Sequence, residues 1–308
     1  MKLSLRITQS MMHAQLLRNV NNNLSRMDKH QTMLATGKKI NAPSDDPVGI
    51  TYALRYRSEI SINEQYQRNI DTAKSFVDHT DTVLSQLTDI LQRANELTVQ
   101  GTNGTNPQTA LDAIAEEMGQ LYEQAVAIGN DRLNGKSIFN GQMTDKDPYT
   151  VAGAATEQAD NQAILYQFAA GVTIPINVTG EAVFGSANPA PPAAATTPDN
   201  LFTVLSGLQK AFSAGDQSQA GALLGQLTTR MDKILNVRAE VGARSNRIDL
   251  MDARIKDLNV NMTELNSKIE DADMAETITK LQEDQNVYQA SLSVGAKIIQ
   301  PSLLDYLR

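Results

Sequence analysis

"IDTAKSFVDHTDTVLSQLTDILQRANELT", residues 70–98, places Ile70, Ala73, Val77, Thr80, Leu84, Leu87, Leu91, Ala94 and Thr98 at alternating steps of three and four. A stripe sustained over four heptads predicts a helix packed along its length against other helices. Upstream, Tyr52, Tyr56, Glu59, Asn63 and Tyr66 continue the register. Downstream, "GTNGTNP" stops the helix, with Asn106 expected as a cap and Pro107 as the first residue of the next one. There Leu111, Ile114, Met118, Leu121, Ala125 and Ile128 keep the same spacing up to Gly129 and Asn130.

Working toward the N-terminus, Leu17, Val20, Leu24, Met27 and Leu34 form another apolar seam, with Gln31 in the empty slot. Between these helices lies "GKKINAPSDDPVG", residues 37–49. Gly37 is expected to terminate the first helix in a left-handed conformation, with Lys38 and Lys39 beside the negative end of its dipole. Ser44, Asp45 or Asp46 can cap the second helix, and Pro47 suits its first position. Capping by far outweighs a catalytic reading of the paired aspartates, because prolines and a helix start flank them.

After residue 130 the period changes. Asn134-Gly135 between short apolar pieces is a hairpin signal. Ile164, Tyr166 and Phe168, then Val172, Ile174, Ile176 and Val178, alternate as strands do. Residues 144–197 read as a β-rich insert ending in the stiff linker "NPAPPAAATTP", after which Asp199 can cap a helix. From Asp216 to Gln300 there are 85 residues without proline. Ile248, Met251, Ile255, Leu258, Met262, Leu265 and Ile269 form one seam. Ile278, Leu281, Gln285, Tyr288, Leu292 and Ile299 form another, the phase shifting at "EDADMAE". Unbroken, such a helix would be roughly 130 Å long, against about 50 Å for a compact globule of this size. The chain therefore goes out and comes back: a mainly α, elongated antiparallel rod of discontinuous N- and C-terminal segments with a small β-rich insertion.

Composition restricts function. A net charge of -8 argues against general nucleic-acid binding. Cysteine is absent, which excludes disulfides and thiolate metal sites. His13, His30 and His79 lack metal-ligand spacing, and neither a phosphate-binding loop nor a Ser-His-Asp arrangement is visible, so neither metal, cofactor nor catalysis is expected. The N-terminus lacks the apolar core of a cleavable signal, and no stretch is apolar enough to span a bilayer, so a cytosolic or unconventionally exported protein without membrane insertion is expected. Residues 1–40 hold seven Lys or Arg against Asp28, whereas residues 264–284 hold seven acids against Lys268 and Lys280, so the two ends are complementary in charge. From Tyr288 to Leu307 the apolar residues Leu292, Ile299, Leu303 and Leu304 belong to a set that spreads around the helix. One partner helix cannot cover them, so other copies or other proteins are expected to. Repeated head-to-tail contacts of that kind make rings or helical filaments.

These motifs resemble the flagellin family. "GKKINAPSDDPVG", "LQRANELTVQGTNGT", "NDRLNGKSIFNG", "SKIEDADMAE" and "YQASLSVGAKIIQPSLLDYLR" match its segments in order over about 1–143 and 199–308. Pro43 and Pro47, the short insert and the "IIQPSLLDYLR" ending set the chain nearer to the branch that joins hook to filament than to the filament subunit. The resemblance implies a non-enzymatic structural protein of the bacterial flagellum, exported without a cleaved signal and held beforehand by a cytosolic chaperone. It would form a homo-oligomeric ring, with the other junction protein on its hook side and polymerising flagellin on its filament side. It further implies an inner terminal domain (1–44 plus 271–308), a rod domain (45–143 plus 198–270) and an outer domain (144–197). Residues 37–47, with Gly37, Pro43, Asp45, Asp46 and Pro47, would be the spoke between inner and rod domains. Two other readings stay open: a filament subunit, and a cytosolic coiled-coil scaffold.

Overall fold

The structure is a computed structural model and describes residues 9–187 and 200–299. Its elements in chain order are α1 (Gln9–Thr36), α2 (Pro47–Gly101), α3 (Gln108–Gly129), β1 (Arg132–Leu133), β2 (Lys136–Ser137), β3 (Leu165–Ala169), β4 (Val172–Pro175), α4 (Gly180–Phe184), α5 (Leu201–Ser213), α6 (Gln217–Glu270) and α7 (Met274–Ile299). They divide into two compact units. One contains residues up to Ile62 and from Leu258 onward, the other Asn63–Asp257.

The second unit is built on the inner face of α2. All nine seam residues from Ile70 to Thr98 are buried. The two threonines fit there because each hydroxyl donates to the carbonyl one turn back, Thr80 to Phe76 at 2.8 Å and Thr98 to Ala94 at 2.6 Å. This leaves no orphaned donor in the apolar stripe. Helix α3 adds Leu111, Ile114, Met118, Leu121 and Ala125, and α5 adds Leu201, Phe202, Val204, Leu205, Leu208 and Phe212. Ring edges and faces complete the core: Phe184 meets Phe139 and Tyr149 edge-on with centroids 5.3 Å apart and stacks on Phe202 at 5.1 Å. Burial pushes the Tyr149 phenol well above its ordinary value.

Between α3 and α5 the strands form two ribbons. Asn134 and Gly135 take positive φ values of 52° and 78°, the two-residue turn that the Asn-Gly pair encodes, and Arg132 faces Ser137 across it. In the second ribbon Tyr166 faces Ile174. The remainder of 144–187 is turns and the short α4, whose last carbonyls accept from the buried Arg230 guanidinium at 3.1 Å (Ala182) and 3.3 Å (Val183).

Three local expectations change. Pro107, not Asn106, stands at the α3 N-cap, since its carbonyl takes the first helical bonds from Ala110 and Leu111, while the Asn106 amide turns back to the Gln100 carbonyl. The α5 cap is Asn200, whose Oδ1 accepts from the Thr203 N–H at 3.0 Å, and not the expected Asp199, which lies outside the described residues. Tyr52 continues the heptad register of α2 but is exposed, and Ala53 is buried in its place.

Phe184 touches three rings, so Phe184→Ala should lower the unfolding free energy of the intact chain by about 3–5 kcal/mol. A urea titration followed by circular dichroism would show this as an earlier midpoint.

Candidate assembly interface

The first unit begins with the link between α1 and α2. Gly37 has φ 71°, and its N–H closes α1 on the Met33 carbonyl at 2.8 Å. The paired aspartates then divide two tasks. Asp46 Oδ1 accepts from the N–H groups of Val48 (3.1 Å) and Gly49 (2.9 Å), capping α2. Asp45 Oδ2 accepts from Asn41 (3.1 Å) and Ala42 (3.0 Å), and its Oδ1 meets Lys29 Nζ of α1 at 3.1 Å. The Ala42 bond, then Lys29, holds the Asp45 carboxyl below the ordinary aspartate value. Pro47 occupies the first position of α2, and Pro43 precedes the capping pair on the exposed side of the link.

Opposite, the chain passes from α6 to α7 through Asp271–Asp273, and the two links are joined. Lys39 N–H donates to the Glu270 carbonyl at 2.6 Å and Ala272 N–H to the Gly37 carbonyl at 2.9 Å, a single antiparallel bridge of Lys38 with Asp271. The Glu270 side chain is only 1% exposed and has three partners: Lys38, Arg57 of α2, and Asn266 at 3.1 Å. Removing a partner from a buried charge costs about 3–5 kcal/mol, so this carboxylate ties the α1–α2 link, α2 and α6 together only while its cations stay. Asp273 caps α7 through the Glu276 N–H at 3.0 Å.

From these links α1 and α7 pair side by side, with an unexpected choice of seam. The α1 residues turned inward are His13, Leu16, Val20, Asn23, Met27, His30 and Leu34; those of α7 are Thr277, Leu281, Asp284, Tyr288, Ser291 and Gly295. Relative to the apolar pattern, half of each seam moves one residue toward the N-terminus. Asn23 replaces Leu24, His30 replaces Gln31, Asp284 replaces Gln285 and Ser291 replaces Leu292. The middle is therefore a hydrogen-bonded ladder. Asn23 Nδ2 donates to Ser291 Oγ at 3.4 Å, Arg26 donates to Asn23 at 2.5 Å and to Asp284 Oδ1 at 3.1 Å, and His30 Nε2 lies 3.6 Å from Asp284 Oδ2.

Of the residues singled out in the sequence, Val20, Met27, Leu34, Leu281 and Tyr288 lie on this seam. Leu17 is 63% exposed, Leu24 43% and Leu292 48%, beside the similarly open Ile278, Val287 and Val294. The side chain of Ile299, and all of Leu303 and Leu304, lie outside the described residues. Asn23, His30, Asp284 and Ser291 on the seam, and Arg26 beside it, escape sequence reasoning, because an apolar-pattern search passes over polar positions. The charge complementarity of the two ends is the signal that points to them, and it is realised in Arg26–Asp284 and Lys38–Glu270. The polar positions weaken the middle of the pair. A hydrogen bond nets about 1 kcal/mol, whereas burying a Leu or Ile side chain gains about 1.5–3 kcal/mol. The outer rows, left open in the single chain, do not realise that larger gain.

Residues 7–144 match the bacterial flagellin N-terminal helical region and residues 224–307 the bacterial flagellin C-terminal helical region. The flagellar hook-associated protein 3 of Escherichia coli is 28% identical over 307 residues, covering 93% of this chain and 95% of that one. A flagellin of Bacillus subtilis is 27% identical over 315 residues, covering 99% and 100%. A solved flagellar hook-associated protein from Vibrio parahaemolyticus superposes with a TM-score of 0.65 at 22% identity, covering 74% of this chain and 100% of that one.

Because the Asp45 carboxyl titrates lower in the folded chain than when unfolded, its contribution is full above the ordinary aspartate value near 4 and fades as the pH falls through its lowered value. The stability difference between the unmodified chain and Asp45→Asn, from urea unfolding at stepped pH, should therefore be constant near neutrality and shrink in acid.

Proposed function

The chain belongs to the flagellin family and is a structural component of the bacterial flagellum, and we propose that it forms the junction between hook and filament, an adaptor ring on which flagellin polymerises. The observation that carries this reading is the pair of open apolar rows on α1 and α7, Leu17 and Leu24 on one helix, Ile278, Leu292 and Val294 on the other. Rows of that kind need neighbours. Near full-length similarity to hook-associated relatives supports the junction over other positions in the flagellum. In this reading 1–44 and 271–308 make the inner tube, 45–143 and 198–270 the rod, and 144–197 the outer domain. Residues 37–47 form the spoke, stiffened by Pro43 and Pro47. The chain leaves the cell without a cleaved signal, escorted to the export apparatus by a chaperone, meets the other junction protein on its hook side, and performs no catalysis.

A filament subunit is the second reading, favoured by the end-to-end similarity to a Bacillus flagellin. Electron microscopy of cells lacking this chain separates the two. Hooks without filaments, with flagellin lost to the medium, support the junction; filaments missing only this subunit support the alternative.

Leu17→Asp with Leu24→Asp should abolish motility and filament growth while leaving the thermal unfolding of the Asn63–Asp257 unit unchanged. Wild-type filament number in this variant would remove the outer rows from the assembly contact.

A further inference from the structure

Neighbouring copies that cover the outer rows of α1 and α7 bring several like helices within reach of one another, and each has more than one helix it could pair with. We propose that the polar ladder Ser291–Asn23–Arg26–Asp284–His30 selects the partner: it admits α1 against α7 and rejects α1 against α1 or α7 against α7 of another copy. This rests on the assembly reading above and adds a determinant of specificity to it.

The contacts are complementary only in the mixed pair. Arg26 reaches Asp284 through both Nε (3.1 Å) and Nη2 (3.0 Å), and the second oxygen of that carboxylate faces His30. The His30 Nδ1 is buried with no partner, so this seam position is satisfied only on its Asp284 side. In an α1–α1 pair the Arg26 cations would approach one another with no seam carboxylate to answer them. The acid of α1, Asp28, is exposed, and Lys29 is already bonded to Asp45. In an α7–α7 pair two Asp284 carboxylates would be enclosed without a cation, since Lys280 of the same helix is tied to Glu276 at 2.7 Å and Glu283 adds a further negative charge nearby. Enclosing two Asp284 carboxylates penalises the α7–α7 pair, and repulsion between the half-exposed Arg26 cations, together with the loss of their Asp284 partner, disfavours the α1–α1 pair; polar seam groups fix pairing in this way. Register needs no such device close to the links, because the Lys38–Asp271 bridge already sets it. The ladder lies farther out, where the helices are held by side chains alone.

The chain has no cysteine, so introduced ones report pairing without background. A Cβ on Gly295 would touch the tip of Leu16, which marks these as facing positions. Leu16→Cys with Gly295→Cys should give a disulfide within one chain under mild oxidation, after assembly onto filament seeds as well as in dilute solution. Each cysteine alone should give little linked dimer. Making the ladder apolar, with Asn23→Leu, His30→Leu and Asp284→Leu, should raise single-cysteine dimers at least about tenfold, a discrimination of about 1.4 kcal/mol. Exchanging the charges instead, Arg26→Glu with Asp284→Arg, should restore the low level. Equal dimer yield with and without the ladder, or no disulfide in the double variant either before or after assembly, overturns the proposal. Correct disulfides in a chain that never adds to seeds would instead sink the junction reading and leave the pairing rule standing.

Discussion

The rest of this structure depends on a mismatch between polarity and direction in the first unit. Helices α1 and α7 share a mixed seam, in which Asn23, His30, Asp284 and Ser291 stand among Val20, Met27, Leu34, Leu281 and Tyr288, while Leu17, Leu24, Ile278 and Leu292 turn outward. A globular protein buries such leucines and isoleucines in preference to polar groups. The arrangement is intelligible when the greater part of the burial is completed between molecules, with the polar contacts giving direction and the apolar ones strength. The α2 seam follows the ordinary rule, and its residues from Ile70 to Thr98 are enclosed within one chain.

What connects the paired ends to the remaining helices is a small set of directed contacts. Gly37 closes α1, Asp45 holds the link against Lys29, Asp46 opens α2, and Glu270 gathers Lys38, Arg57 and Asn266. Asp45 engages both carboxylate oxygens and Asp46 its Oδ1, so both aspartates serve the link. The two prolines add restriction of φ to a segment already fixed by side chains.

The sequence is legible where apolar residues point inward. The inner face of α2, the α3 face, the Asn134-Gly135 turn, the Gly37 stop and the break at Asp271–Asp273 all follow from spacing and turn chemistry. At the start of α3 the cap falls one residue later than expected, on Pro107, because its carbonyl and not that of Asn106 takes the first helical bonds. The seams of α1 and α7 are out of phase by one residue at half their positions, because the apolar pattern follows the rows that the proposed neighbours would cover and not the face on which the two helices pair. Tyr52 misleads in the same way, being an apolar residue in register that the chain itself leaves open.

Amide hydrogen exchange compares these two kinds of burial directly. In the dilute chain the amides of α1 and α7 should exchange far faster than those of residues 70–98 in α2, and on assembly they should slow by orders of magnitude while α2 changes little. Protection of α1 and α7 equal to that of α2 in the lone chain, unchanged by assembly, would contradict the view that neighbours complete their burial.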